Sequence, residues 1–69
     1  MAYQYIETTQ EPPVGRLILS RPERRNALSL AAMEEITHGL EELAAAPGIQ
    51  VIVVEGRGPA FSAGHDIAE

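Results

Sequence analysis

The residues best suited to chemistry lie in one stretch, Gly56-Arg57-Gly58-Pro59-Ala60-Phe61-Ser62-Ala63-Gly64-His65-Asp66-Ile67. It follows the most apolar run of the chain, Val51-Ile52-Val53-Val54, and its final residues read as the entry to a helix. A glycine-rich turn between a buried strand and a helix start leaves main-chain N–H groups without partners. Such groups suit a bound phosphate, or negative charge that develops during a reaction. The spacing is not the dinucleotide fingerprint, whose third glycine would fall on Phe61. Nor is it the NTPase phosphate loop, since no Gly-Lys-Ser/Thr follows. By spacing alone the stretch reads equally as an ordinary glycine-rich connection. Ala63-Gly64 adds two tiny residues that let another molecule approach the backbone closely. The N–H of His65 is then expected to project from the helix entrance, and the loop is expected to form half of an oxyanion hole.

Ser62, His65 and Asp66 do not read as a hydrolytic triad, because neighbouring side chains do not line up in one hydrogen-bonded row and triads draw on separate elements. Asp66 is expected as a cap or first-turn acid of the next helix. His65 is expected to contribute its amide rather than its imidazole. His38 falls within a helical segment and reads as a surface or interface histidine. Arg21, Arg24 and Arg25 form the one basic cluster. It either balances nearby acids or recognises a phosphate-bearing ligand, which guanidinium groups suit.

Ten acidic residues against five arginines and no lysine give a net charge of −5 across 69 residues. That balance argues against a general nucleic-acid binder and against docking on an anionic membrane. Only three aromatic residues are present, too few for a base-stacking platform. No cysteine occurs, and two histidines make no convincing zinc site, so no metal is expected. The N-terminus carries neither a basic nor an apolar signal segment, and a cytoplasmic location is expected. A chain this short makes at most one small domain and buries only roughly 60% of its unfolded surface, which leaves its stability marginal.

The elements that must position the loop are legible in order. Tyr3 to Thr8 alternates and is rich in strand formers. Glu11-Pro12-Pro13 breaks that run, and Val14 to Ser20 reads as a second strand, paired with the first as an antiparallel hairpin. Arg21 to Leu28 is a loop, since Pro22 biases Arg21 away from helix. Ser29 is an N-cap with Leu28 and Met33 as a hydrophobic staple. From Leu30 to about Ala46, Met33, Ile36, Leu40 and Leu43 recur at helical spacing, with Glu34, Glu35, Glu41 and Glu42 on the other side. Gly39 either weakens this helix or permits a close neighbour. Pro47-Gly48 ends it, and Gln50 to Glu55 reads as a central parallel strand with both faces covered. The expected fold class is α/β, a β-β-α-β unit, with the glycine-rich loop at the carboxyl end of the third strand, where open α/β sheets bind ligands.

Arg21-Pro22-x-x-x-Asn26-Ala27-Leu28-Ser29, followed by Ala60-Phe61-Ser62-Ala63-Gly64-His65-Asp66-Ile67, resembles the crotonase (enoyl-CoA hydratase/isomerase) superfamily. The resemblance covers essentially the whole chain. It implies that residues 1–69 are the N-terminal portion of a spiral ClpP/crotonase-type domain, incomplete at this length. It implies an acyl-CoA thioester as partner, with coenzyme A entering as part of the substrate and no further cofactor. It places the backbone N–H of His65 on the thioester oxygen, and CoA against Arg24, Arg25, Ala27, Ala63, Asp66 and Ile67. The second amide and the acid/base groups of such enzymes lie beyond position 69, so no turnover is expected of these residues alone. The intact enzyme is expected to be a homotrimer or hexamer. The rival reading is a small stand-alone α/β module that binds CoA or a nucleotide, or that self-associates through open strand edges.

Overall fold

The computed structural model describes residues 3–21, 26, 28–58, 61, 62 and 64. The elements are β1 (Ile6–Glu11), β2 (Val14–Leu19), α1 (Leu30–Ala45) and β3 (Val51–Gly56). β1 and β2 form an antiparallel hairpin, with Ile6 opposite Leu19 and Glu11 opposite Val14. Pro12 and Pro13 make the turn, joined by a cis peptide bond. β3 pairs parallel with β2, with Val14 opposite Val51 and Leu19 opposite Gly56. The Pro13 carbonyl accepts from the N–H groups of Gln50 (2.8 Å) and Val51 (3.2 Å), which pins the start of β3 beside the start of β2. The expected α/β class and the β-β-α-β order are both present.

Two strand expectations need correction. The first strand begins at Ile6 rather than Tyr3, and it runs to Glu11. The sheet order is β1-β2-β3, so β2 and not β3 lies in the middle among the described residues. Val51 and Val54 are accordingly 52% and 42% exposed. An apolar run reports that both faces of a strand favour cover, but it carries no count of the strand's neighbours.

The helix covers one face of the sheet. Register puts Ile6, Thr8, Gly15, Leu17, Leu19, Ile52, Val54 and Gly56 on that face. Ile6, Leu17, Leu19 and Leu43 form the buried core, with Tyr5, Leu28, Ile36, Leu40 and Ile52 packed against it. Complete burial of residues such as Leu17 and Leu43 contributes about 1.5–3 kcal/mol each. Met33 departs from the expected stripe. It lines a shallow outer groove with Leu30, Glu34, Thr37, His38 and Glu41. The buried helix face is set instead by Ala32, Gly39 and Leu43.

Ser29 caps the helix as expected, its hydroxyl accepting from the Ala32 N–H at 3.1 Å. Glu35 is not part of a merely solvated acidic face. Its carboxylate accepts from the N–H groups of Gln4 (3.0 Å) and Tyr5 (2.8 Å) and holds the approach to β1 against the helix. The Tyr3 hydroxyl lies 2.8 Å from Glu42 Oε1 and 2.6 Å from His38 Nδ1. A phenol has one proton to give; with that proton on Glu42, His38 must donate through Nδ1. Desolvation, the hydrogen bond to Glu42 and the charges of Glu42 and Glu35 push the Tyr3 phenol up to about 12. His38 thus serves as an internal anchor, edge-on to the Tyr3 ring with centroids 5.7 Å apart.

Candidate functional site

β2 and β3 run parallel, so both deliver their following loops to the same end of the sheet. The Arg57 N–H donates to the Leu19 carbonyl at 2.9 Å, which extends the ladder by one bond past the end of β3. Beyond that bond the two loops are joined through Asn26. This residue is 2% exposed and adopts φ = +55°, a left-handed conformation that asparagine tolerates better than most side chains.

Each end of the Asn26 carboxamide holds a different loop. Oδ1 accepts from the Arg21 N–H at 2.8 Å, within the loop that follows β2. Nδ2 donates to the Arg57 carbonyl at 2.8 Å, in the loop that follows β3. The Asn26 main chain adds two more bonds: its N–H donates to the Arg21 carbonyl (2.8 Å), and its carbonyl accepts from the Ser62 hydroxyl (2.9 Å). The same Ser62 oxygen accepts from the Gly64 N–H at 3.1 Å, a local turn typical of serine. The Leu28 N–H closes the junction on the Gly64 carbonyl at 2.7 Å.

Asn26 and Leu28 are therefore stitched to Ser62 and Gly64 by main-chain and short side-chain bonds. Gly64 has φ = +94°, which glycine adopts without strain, and a Cβ built on it would meet nothing within 4 Å. The loop thus presents open space at Gly64. The Ser62 hydroxyl is held by the main chain on both sides.

Among the described residues at this end of the sheet, both arginines are engaged within the fold. Arg21 lies over the Tyr5 ring at 4.8 Å and reaches Ser29 Oγ at 3.5 Å, so its guanidinium is turned into the fold. Arg57 makes a two-pronged pair with Glu7 at 2.6 Å for each bond. Hydrogen bonding from Arg57, then from Ser20, lowers the Glu7 carboxyl below its ordinary value, and Glu7 raises Arg57 in turn. Neither arginine offers a loose cation to a phosphate. Among the described residues no group of three or more His, Asp or Glu is gathered for a metal ion.

The sequence-predicted site residues Arg24, Arg25, Ala27, Ala63, His65, Asp66 and Ile67 lie outside the described residues. Their immediate neighbours Asn26, Leu28, Ser62 and Gly64 are described, and they bring the two motif segments side by side. Asn26 belongs to the first motif, and its role emerges only from these bonds. A polar residue able to adopt positive φ, inside a loop between apolar elements, is the signal that marks it. No described helix is long and apolar enough to cross a membrane.

Comparison with known proteins agrees with the β-β-α-β fold. The chain is 39% identical over 62 residues to "Enoyl-CoA hydratase domain-containing protein 3, mitochondrial" of Rattus norvegicus, covering 90% of this chain and 21% of that protein. It superposes on an enoyl-CoA hydratase/isomerase from Xanthobacter autotrophicus Py2 with a TM-score of 0.91 and 36% identity, over 97% of this chain and 25% of that one. The enoyl-CoA hydratase from Mycobacterium tuberculosis H37Rv gives 0.88 and 33%, over 96% and 30%. The chain thus spans between about a fifth and a third of the length of these relatives. The Enoyl-CoA hydratase/isomerase family matches residues 9–69, and with sequence and backbone in agreement the chain belongs to that family.

Proposed function

We propose that this chain forms the acyl-CoA-binding part of an enoyl-CoA hydratase/isomerase-type enzyme and supplies one amide of its oxyanion hole. The observation that carries the reading is the stitched junction at the carboxyl ends of β2 and β3, open at Gly64. The amide is that of His65. CoA would lie against Arg24, Arg25, Ala27, Ala63, Asp66 and Ile67, in keeping with the inward-turned Arg21 and the paired Arg57.

The chemistry follows from where charge develops. A thioester carbonyl moving toward an enolate gains negative charge on oxygen, and fixed N–H donors aimed at that oxygen lower the barrier. Loss of one such donor costs about 10²–10³ in rate. Addition of water across a 2,3-double bond is the simplest reaction this half-site serves. The resemblance assigns the second amide and the acid/base groups to sequence outside these 69 residues, so turnover is proposed for the intact protein, as a homotrimer or hexamer, and not for this chain alone. The proposed location is the cytoplasm, while the rat relative is by name mitochondrial.

The test is a titration of CoA and of butyryl-CoA followed through the backbone amides. Shifts at Ala27 with both ligands, and at His65 with the thioester in particular, support the reading. Undisturbed amides at saturating thioester would overturn it. A second reading, self-association, is favoured by the exposed Val51 and Val54 on β3, whose one strand partner among the described residues is β2. A concentration-dependent dimer without ligand shifts would support that reading instead.

A further inference from the structure

We infer that Asn26 is a positioning residue for the thioester-binding amide, acting through the main chain without touching substrate. The inference rests on the function proposed above. Two routes lead from Asn26 toward the peptide that begins at the Gly64 carbonyl. One passes from the Asn26 carbonyl to the Ser62 hydroxyl (2.9 Å), and from that oxygen to the Gly64 N–H (3.1 Å). The other follows the chain to Leu28, whose N–H holds the Gly64 carbonyl at 2.7 Å. A trans peptide is planar, with its N–H directed opposite to its C=O. A donor fixed on the Gly64 carbonyl therefore restricts where the next N–H can point, and that N–H is the one assigned to the thioester oxygen.

The residue type fits this task closely. The position needs positive φ, an acceptor facing the Arg21 N–H and a donor facing the Arg57 carbonyl. Glycine supplies the backbone conformation but neither side-chain group. Aspartate supplies the acceptor and sets a second oxygen against the Arg57 carbonyl. Asparagine supplies all three. Because the carboxamide joins both loops, the segment proposed to bind CoA and the segment proposed to bind the thioester are held in one geometry. Binding energy from the remote CoA portion can then orient the donor at the reacting carbonyl.

The experiment uses the intact protein that carries this chain, with Asn26→Asp, Ser62→Ala and Ser62→Thr. The probe is isotope-labelled butyryl-CoA, which is saturated and cannot be hydrated. The readouts are the infrared carbonyl stretch of the bound thioester and the affinity for CoA alone, followed by kcat and KM for crotonyl-CoA. The wild type is expected to lower the carbonyl stretch. Asn26→Asp and Ser62→Ala are expected to return it toward the free value and to reduce kcat by about 10²-fold, as small misplacements of catalytic groups do. CoA affinity should hold, and Ser62→Thr, which keeps the hydroxyl, should restore both signals. If Asn26→Asp does not fold, Ser62→Ala carries the test, because it leaves Asn26 in place and removes one of its two routes to Gly64, the one through the Ser62 hydroxyl. Variants with the wild-type carbonyl stretch and kcat overturn the positioning role and leave the thioester reading standing. Variants that lose CoA affinity but keep the carbonyl shift also overturn it. A wild type that leaves the carbonyl unshifted overturns the thioester reading and this inference together.

Discussion

Gly39 and Gly56 are the same residue in two regions held together differently. Gly39 sits where the helix meets the sheet, and an added Cβ would lie 2.8 Å from Ile6 Cδ1 and 3.0 Å from Leu17 Cδ1. Gly56 closes β3 at the candidate site, and an added Cβ would lie 2.5 Å from the Phe61 carbonyl oxygen and 2.9 Å from the Phe61 Cα. The first region is filled by side-chain ends, which can change rotamer. The second is filled by main chain whose position is fixed by the bonds around Asn26. Packing yields by degrees, whereas a stitched backbone holds or gives way as a unit.

The sharpest way to break this contrast is Gly56→Ala. No rotamer change relieves a contact with a carbonyl oxygen, so the Phe61–Gly64 segment must move. The expected loss is roughly 3 kcal/mol, the upper part of the range for overpacking. It should appear as a lower urea midpoint together with altered amide shifts at Asn26, Ser62 and Gly64. A variant with wild-type stability and unmoved amides would show the loop to be as compliant as the core.

Gly39→Ala sets two effects of opposite sign against each other. Alanine in place of glycine in a helix interior gains about 1 kcal/mol. Overpacking against Ile6 and Leu17, both buried, costs about 1–3 kcal/mol. The expected net is a loss of about 1 kcal/mol. Ile6→Val removes the closest atom and alone costs about 1 kcal/mol. Combined with Gly39→Ala it should cost less than the sum of the two, since one mutation makes room for the other. Strict additivity in a denaturation series would refute the close approach.

The same contrast explains how much the sequence disclosed. The helix-on-sheet half was legible because periodicity is a direct record of burial. Ile36, Leu40 and Leu43 recur at helical spacing, Ser29 marks the start, and Pro47-Gly48 marks the end. Met33 misled, because a half-buried apolar residue beside the stripe shares its spacing. The place of β3 in the sheet was not legible, since neighbours depend on pairing far along the chain. At the site, the glycine-rich loop and its location at the carboxyl end of β3 could be read, and so could the likeness of both motifs to one family. The junction itself could not. Its bonds join Asn26 to Arg57 and Ser62, more than thirty residues away, and no local pattern encodes a contact at that range. Glu35 is a similar case, a helix glutamate that looks solvated until the N–H groups of Gln4 and Tyr5 are found on it.

Glu7 and Arg57 link the two regions and offer the smallest effect. Glu7 lies on β1, on the sheet face away from the helix, and Arg57 opens the site loop. Both side chains are about half exposed, so solvent and salt screen the pair despite its two short bonds. The Glu7 carboxyl is held below its ordinary value in the folded protein, chiefly by the Arg57 hydrogen bonds. A carboxyl depressed on folding contributes stability above its unfolded pKa and loses it as pH falls through the folded value. Wild type and Glu7→Gln should therefore differ at neutral pH and converge in acid, below the ordinary carboxylate range. Added salt should narrow the difference at neutral pH. A gap that persisted unchanged into acid would mean that Glu7 acts by packing and not by charge. Amide shifts at Gly58 and Ser62 extend the test to the site. If they move with Glu7→Gln, the ion pair helps to set the loop; if they stay, the junction at Asn26 holds it unaided.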